Sequence, residues 1–147
     1  MAGLERKDWM GVLARAAAGD VAAMWARAGL AEPAFDWLRP PEIGAVMVRG
    51  RAGGTGAPFN LGEVTVTRCA LRLADGREGH GWVQGRDRDH ARRAALADAL
   101  LQGEEADAVR RGLISPLAEA EAEQAALRAR KAAATKVDFF TMARGED

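Results

Sequence analysis

A chain of 147 residues, 48% apolar and 29% charged, has the composition of an ordinary soluble globular domain. At this length folding buries roughly 68–70% of the unfolded surface, enough for one self-sufficient core. The 21 basic and 21 acidic residues cancel, which argues against nucleic-acid binding through a broad basic face.

No stretch approaches the ~20 apolar residues of a membrane helix, and residues 1–8 hold no apolar run of the secretory type. Cys69 is the single cysteine, so an internal disulfide and the usual metal-binding spacings are both ruled out. A reduced, cytoplasmic setting is expected, with neither nucleic acid nor membrane as a partner.

Residues 5–18 read as an amphipathic helix carrying Met10, Leu13, Ala14 and Ala17 at helical spacing. Gly19 is expected to end it and Asp20 to cap a second helix with Val21, Met24, Trp25 and Ala28 on one side. Gly29 ends that helix. The pair forms a helical hairpin in which Trp9 and Trp25 are core anchors. Pro33, Pro40 and Pro41 punctuate the next segment, with a short strand at residues 35–39 and a longer one at residues 42–51.

A glycine-dense connection follows over residues 51–63. The clearest strand then runs over residues 63–74, with Thr65, Thr67, Cys69, Leu71 and Leu73 on one face. Val64, Val66, Arg68, Ala70 and Arg72 occupy the other. Asp75-Gly76 signals a tight hairpin, and the return strand covers about residues 78–84. A helix over about residues 89–102 is capped by Asp87 or Asp89 and buries Ala91, Ala95, Leu96, Ala99 and Leu100. After an acidic connector between Gly103 and Gly112, Ser115-Pro116 opens a long helix, with Ser115 as N-cap, to about Thr135. Its glutamates come first and its Arg128, Arg130 and Lys131 last, an order that complements the helix dipole. Beyond Leu117 its one large apolar residue is Leu127, so it has little with which to enter a core. The apolar tail at residues 137–147 either folds back as a final strand or docks on another subunit.

These elements make an α+β fold: an antiparallel β-sheet with an N-terminal helical hairpin and two C-terminal helices. Residues 1–147 form a single domain, with residues 116–147 as a partner-binding helix and tail.

Ten of the 17 glycines fall between Gly44 and Gly85, and Arg49, Arg51, Arg68 and Arg86 lie among them. Glycine is used where φ is positive or where a ligand approaches the backbone. Two readings of the loop stand side by side. In one it is a plain hairpin connection. In the other, Arg51, Gly53, Gly54, Thr55, Gly56, Arg68 and Arg86 hold a phosphate or phosphonate, with backbone N–H groups assisting. A Walker-type phosphate loop is excluded, because no Gly-Lys-Ser/Thr ending and no following helix are present. A dinucleotide fingerprint fails because strand, not helix, follows the loop.

Neither histidine has a nucleophile beside it in sequence, and Ser115, the single serine, is assigned to helix capping. Cys69 reads as a buried small hydrophobe. Glu63 and Asp87 sit beside glycine turns as structural partners for Arg68 and Arg86. No reaction centre assembles from the residues, so catalysis by this chain alone is not expected.

Several separated motifs carry a family resemblance. Gly53-Gly-Thr-Gly56 with Phe59 and Gly62, Thr67-Arg68, Trp82-Val-Gln-Gly-Arg-Asp87 with His90, and Val137-Asp-Phe-Phe-Thr-Met142 with Arg144-Gly145 occur in order along nearly the whole chain. In these the chain resembles PhnG, the G subunit family of the bacterial carbon–phosphorus lyase system. Ala143 replaces the bulkier apolar residue of that pattern.

The resemblance implies phosphonate catabolism under phosphate limitation, as a transferase subunit rather than a catalyst in its own right. It implies a core complex with H, I and J subunits, with the L protein acting in the same step. In that step ribose triphosphate passes from ATP to an alkylphosphonate and adenine is released. ATP is then a substrate of the complex, and this chain binds no cofactor. Val137, Phe139, Phe140, Met142 and Arg144 become partner contacts, with no catalytic and no metal-binding residue implied. The alternative from a different class is a stand-alone small enzyme or binding protein for a phosphorylated ligand, working through Arg51, Arg68 and Glu63.

Overall fold

The computed structural model describes the backbone of residues 5–145 and, Ala52 apart, the side chains of residues 5–135. Helices α1 (Arg6–Arg15) and α2 (Ala18–Ala28) precede strands β1 (Phe35–Arg51), β2 (Pro58–Leu73) and β3 (Glu78–Gln84). Helices α3 (Arg88–Leu100), α4 (Ala106–Val109) and α5 (Ser115–Gly145) follow. The strands form one antiparallel sheet in the order β1-β2-β3, and the fold is α+β. Contacts divide the chain into residues 1–117, which hold the sheet and core, and residues 118–147.

Alternation along β2 sets the layers. Thr67, Cys69, Leu71 and Leu73 are buried on one face, whereas Arg68 and Arg72 are exposed on the other. The buried face lies under α3, whose Ala91, Ala94, Ala95, Leu96, Ala99 and Leu100 are buried. β3 brings Gly79 and Gly81 to this helix at backbone distance. A Cβ on Gly79 would meet the carbonyl oxygen of Ala95, and one on Gly81 that of Ala91. Glycines on the strand and alanines on the helix are thus one packing solution. Asp87 is the N-cap of α3, its carboxylate accepting from the His90 N–H at 2.9 Å.

Helix α1 packs on β3 and α3, while α2 packs on α3 and on residues 110–114. Trp9, Leu13, Val21 and Trp25 are buried, as the anchor reading expected. The hub of this corner is Asp98, on α3 and wholly buried. Its Oδ1 accepts from Arg6 Nε at 3.0 Å and Trp9 Nε1 at 2.9 Å. Its Oδ2 accepts from Arg6 Nη2 at 2.7 Å and the His80 N–H at 2.9 Å. One carboxylate therefore ties α1, α3 and β3 together, and the bidentate arginine compensates its charge.

Several boundaries differ from the sequence expectation. The first helix ends at Arg15, not at Gly19. Ala16 and Ala17 are extended, with ψ of 153° and 135°, and Gly19 and Asp20 lie inside the first turn of α2. Ala17, not Asp20, is the N-cap, and Gly29 ends α2 in the left-handed conformation at φ 60°. The two short strands at residues 35–39 and 42–51 are one strand. Pro40 and Pro41 are tolerated because β1 is an edge strand and its register shifts there, between Trp37 and Glu42. Strand β2 starts at Pro58 rather than Glu63, so the turn proper is confined to residues 52–57.

The acidic connector contains α4 and then a wider π-type turn, Arg110–Ile114. Pro116 follows one residue later, after Ser115. A proline ring collides with the carbonyl four residues back in a regular α-helix, and the widened turn makes room for it. Ser115 has helical torsions, φ −62° and ψ −47°, so it lies within a continuous helical path and does not cap α5. Helix α5 runs on to Gly145, replacing the final-strand alternative for the tail. No glycine or proline interrupts residues 117–144, so nothing in the chain stops it earlier.

Candidate functional site

The strands β1 and β2 are much longer than β3. β3 pairs with β2 only over residues 66–72, the last pair being Val66 with Gln84. From Thr65 to Pro58 the sheet continues as a two-stranded arm about 25 Å long, at ~3.3 Å per residue. At its tip Gly53 and Gly54 hold φ of 62° and 81°, torsions that favour glycine, and Arg51 Nη1 donates to the Gly56 carbonyl at 3.3 Å. Near the tip the register slips between Val48 and Arg49, which leaves Leu61 as an extra residue on β2. Leu61 and Phe59 close over Gly50, where a Cβ would stand 3.0 Å from Leu61 Cδ1 and 3.4 Å from Phe59 Cζ.

Leu61 is nevertheless 62% exposed, Met47 55% and Phe59 46%. Alternation along β1 puts Val48 and Gly50 on one face and Arg49 and Arg51 on the other. Pairing places Phe59 on the face of Val48 and Gly50, so one side of the arm carries Val48, Phe59 and Leu61, and the other carries Arg49 and Arg51 together with Met47 and Glu63.

A second feature lies on the open face of the three-stranded region. Trp82 on β3 faces Arg68 on β2, which faces Glu42 on β1. Arg68 Nη2 stands 3.6 Å from Glu42 Oε2, and Arg39 Nη1 reaches the same oxygen at 3.5 Å. Glu42, Arg68 and Trp82, with Val46 and Val66, border a groove of about 190 Å³. Trp82 remains exposed there.

The candidate anion ligands are not drawn into one place. Arg51 pairs with Pro58, ten residues along β2 from Arg68, a separation of about 30 Å. Gly53, Gly54, Thr55 and Gly56 stay with Arg51 at the tip. Arg86 follows Gly85, whose N–H donates to Thr65 O at 2.8 Å, and so belongs to the base of the arm. One anion therefore cannot engage both Arg51 and Arg68. The carboxylate partners differ too: Arg68 pairs with Glu42 rather than Glu63, and Asp87 caps α3 rather than serving Arg86.

The titratable groups of the core are engaged. His90 is buried with Nε2 2.8 Å from the Leu13 carbonyl, so the neutral ring donates from this nitrogen. Burial holds its pKa below the ordinary value, although the bond to Leu13 opposes this. The Cys69 thiol donates to Ala91 O at 3.2 Å, and burial pushes its pKa up to about 11. It is a packed thiol, as the sequence reading expected. Among the described residues no group of three His, Cys, Asp or Glu is arranged to hold a metal, and no helix is long and apolar enough to cross a membrane. The side chains of Val137, Phe139, Phe140, Met142 and Arg144 lie outside the described residues.

Sequence reasoning missed two features. The length of the arm was hidden because its glycines resemble loop composition, although Phe59 and Leu61 alternate with Asn60 as in a strand. The Asp98 hub had no local signal, since its partners come from residues 6, 9 and 80.

A family model described as phosphonate metabolism protein PhnG matches residues 4–145, both arm and helices included. The chain belongs to the PhnG family. A PhnG relative from Rhizobium meliloti (strain 1021) is 44% identical over 143 residues, covering 97% of this chain and 91% of the relative. That protein is described as the PhnG subunit of α-D-ribose 1-methylphosphonate 5-triphosphate synthase. Membership in the PhnG family places the chain in phosphonate metabolism.

Proposed function

We propose that the chain is the G subunit of an α-D-ribose 1-methylphosphonate 5-triphosphate synthase. The observation that carries this reading is the 44% identity to a named subunit of that enzyme, sustained over 97% of the chain. In the reaction a phosphonate oxygen bonds to C1′ of the ATP ribose as the bond from C1′ to adenine N9 breaks. Adenine leaves with that electron pair and takes up a proton, and the 5′-triphosphate stays on the sugar. The I subunit carries the nucleosidase chemistry, with H and L acting in the same step and with H, I and J joining this chain in a core complex. ATP is a substrate of the complex, and this chain contributes no cofactor. Its work is cytoplasmic and structural: it shapes the I subunit, with Val137, Phe139, Phe140, Met142 and Arg144 docking partners.

Reconstitution tests the reading. The H, I and L proteins are combined with ATP and methylphosphonate, with and without this chain, and adenine release and the phosphorus NMR spectrum are followed. Product that depends on the chain is expected; equal product without it overturns the proposal. Deleting residues 137–147 is expected to abolish assembly with H, I and J while the far-ultraviolet circular dichroism stays folded. Assembly that survives the deletion removes the tail from the docking role.

A further inference from the structure

We infer that the β1–β2 arm is a docking element that inserts into an apolar groove rimmed by carboxylates on another protein subunit. The inference rests on the subunit reading above and assigns the contact to a part of the chain that reading leaves unused.

Three observations carry it. The first is geometry. Residues 58–64 of β2 are paired only with β1, and a two-stranded ribbon without a third strand or a covering helix is marginal in water. The apolar side chains that would stabilise such a ribbon from a core are instead exposed on the Gly50 face, Leu61 by 62% and Phe59 by 46%. Exposed apolar residues gathered on one element mark an interaction surface.

The second is local shape. The extra residue at Leu61 and the absence of a side chain at Gly50 let Phe59 and Leu61 lie together as one knob. A bulge that aims two large side chains to one side is suited to filling a pocket on a partner.

The third is charge. No acidic residue occurs between Glu42 and Glu63, whereas Arg49 and Arg51 lie within that span. Among the described residues neither has a carboxylate partner, and Arg51 reaches only the Gly56 carbonyl. The other arginines of the sheet each reach a carboxylate, Arg39 and Arg68 sharing Glu42 and Arg72 pairing with Glu78. The complement of this tip is an apolar floor with acidic walls. An uncharged groove, or a second copy of this arm with the same arginines, would leave the two cations unmatched.

The test uses the full chain co-expressed with the H, I and J subunits, comparing wild type, Phe59→Ser/Leu61→Ser and Arg49→Glu/Arg51→Glu. Wild type is expected to co-purify as a complex. The apolar variant is expected to associate at least about 30-fold more weakly, as for a central hot spot. The charge variant is expected to bind more slowly and to invert the salt dependence of association, because its glutamates would face acidic walls. Both variants are expected to keep the wild-type melting temperature, because the arm lies outside the core.

Association unchanged in both variants overturns the arm as a docking element while leaving the subunit reading intact. A wild-type chain that joins no complex overturns both. Arm-dependent dimerisation of the chain alone, with hetero-association unaffected, shows a second copy as the occupant and also overturns the inference. A photo-crosslinker at Leu61 identifies the partner surface, and a partner segment without acidic residues there counts against the proposed groove.

Discussion

Replacing Asp98 with alanine tests whether the corner joining α1, α3 and β3 depends on one carboxylate. The side chain is fully buried and accepts four hydrogen bonds, two of them from groups with no other acceptor shown, Trp9 Nε1 and the His80 N–H. A buried donor left without an acceptor costs about 1–3 kcal/mol, which applies in full to Trp9 Nε1, while the part-buried His80 N–H falls at the lower end. Arg6 adds little to the loss, because its side chain is 47% exposed and its guanidinium regains water. The expected destabilisation is therefore about 4 kcal/mol, which lies in the range for breaking a buried charge pair. For a domain of this size that lowers the melting temperature by roughly 10–15 °C. Urea unfolding followed by circular dichroism measures it, with Arg72→Ala as a comparison. The Arg72–Glu78 pair is about half exposed on both sides, so its loss is expected to cost less than about 1 kcal/mol. An Asp98→Ala variant within about 1 kcal/mol of wild type would refute the reasoning, since the donors would then have found other partners.

Two further outcomes are expected. Gly81→Ala places a methyl group against the Ala91 carbonyl of α3, where backbone rather than a flexible side chain must yield. A loss of at least about 2–3 kcal/mol is expected in thermal unfolding, whereas Gly44→Ala, with open space around it, should stay near wild type. For Cys69 the folded pKa is raised, from 9.0 to about 11, because burial disfavours the thiolate. The protonated thiol is the form the fold accepts, so its contribution is complete below pH 9 and is lost as pH rises from 9 to 11. Stability is expected to fall by up to about 2–3 kcal/mol over that window, at 1.36 kcal/mol per unit. The fall should be smaller in Cys69→Ala; identical pH profiles for the two proteins would show that Cys69 does not titrate in the fold.

What the sequence determined by itself is whatever depends on neighbours a few residues apart. Alternation along residues 63–73 assigned each side chain of β2 to its face, Asp75-Gly76 located the hairpin, and the start of α3 was narrowed to Asp87 or Asp89, of which Asp87 is the cap. The ordered motifs from Gly53 to Gly145 also gave the family, which no single motif could. The boundaries that failed were those where tertiary context overruled local signals. Pro40 and Pro41 ended a strand on paper but pass through an edge strand at a register shift, where no partner needs their missing N–H. Ser115-Pro116 had the composition of a helix start, yet the widened turn before it carries the helix through.

The candidate site divides in the same way. Its residue types were legible, and its arrangement was not. Arg51, Arg68 and Arg86 are neighbours in a glycine-rich third of the chain, but the pairing of β1 with β2 spreads Arg51 and Arg68 over about 30 Å. Conversely Arg6, Trp9, His80 and Asp98 are remote in sequence and meet at one carboxylate. Strand register and helix docking are set by burial summed over many residues, so only the folded chain decides which charges share a site.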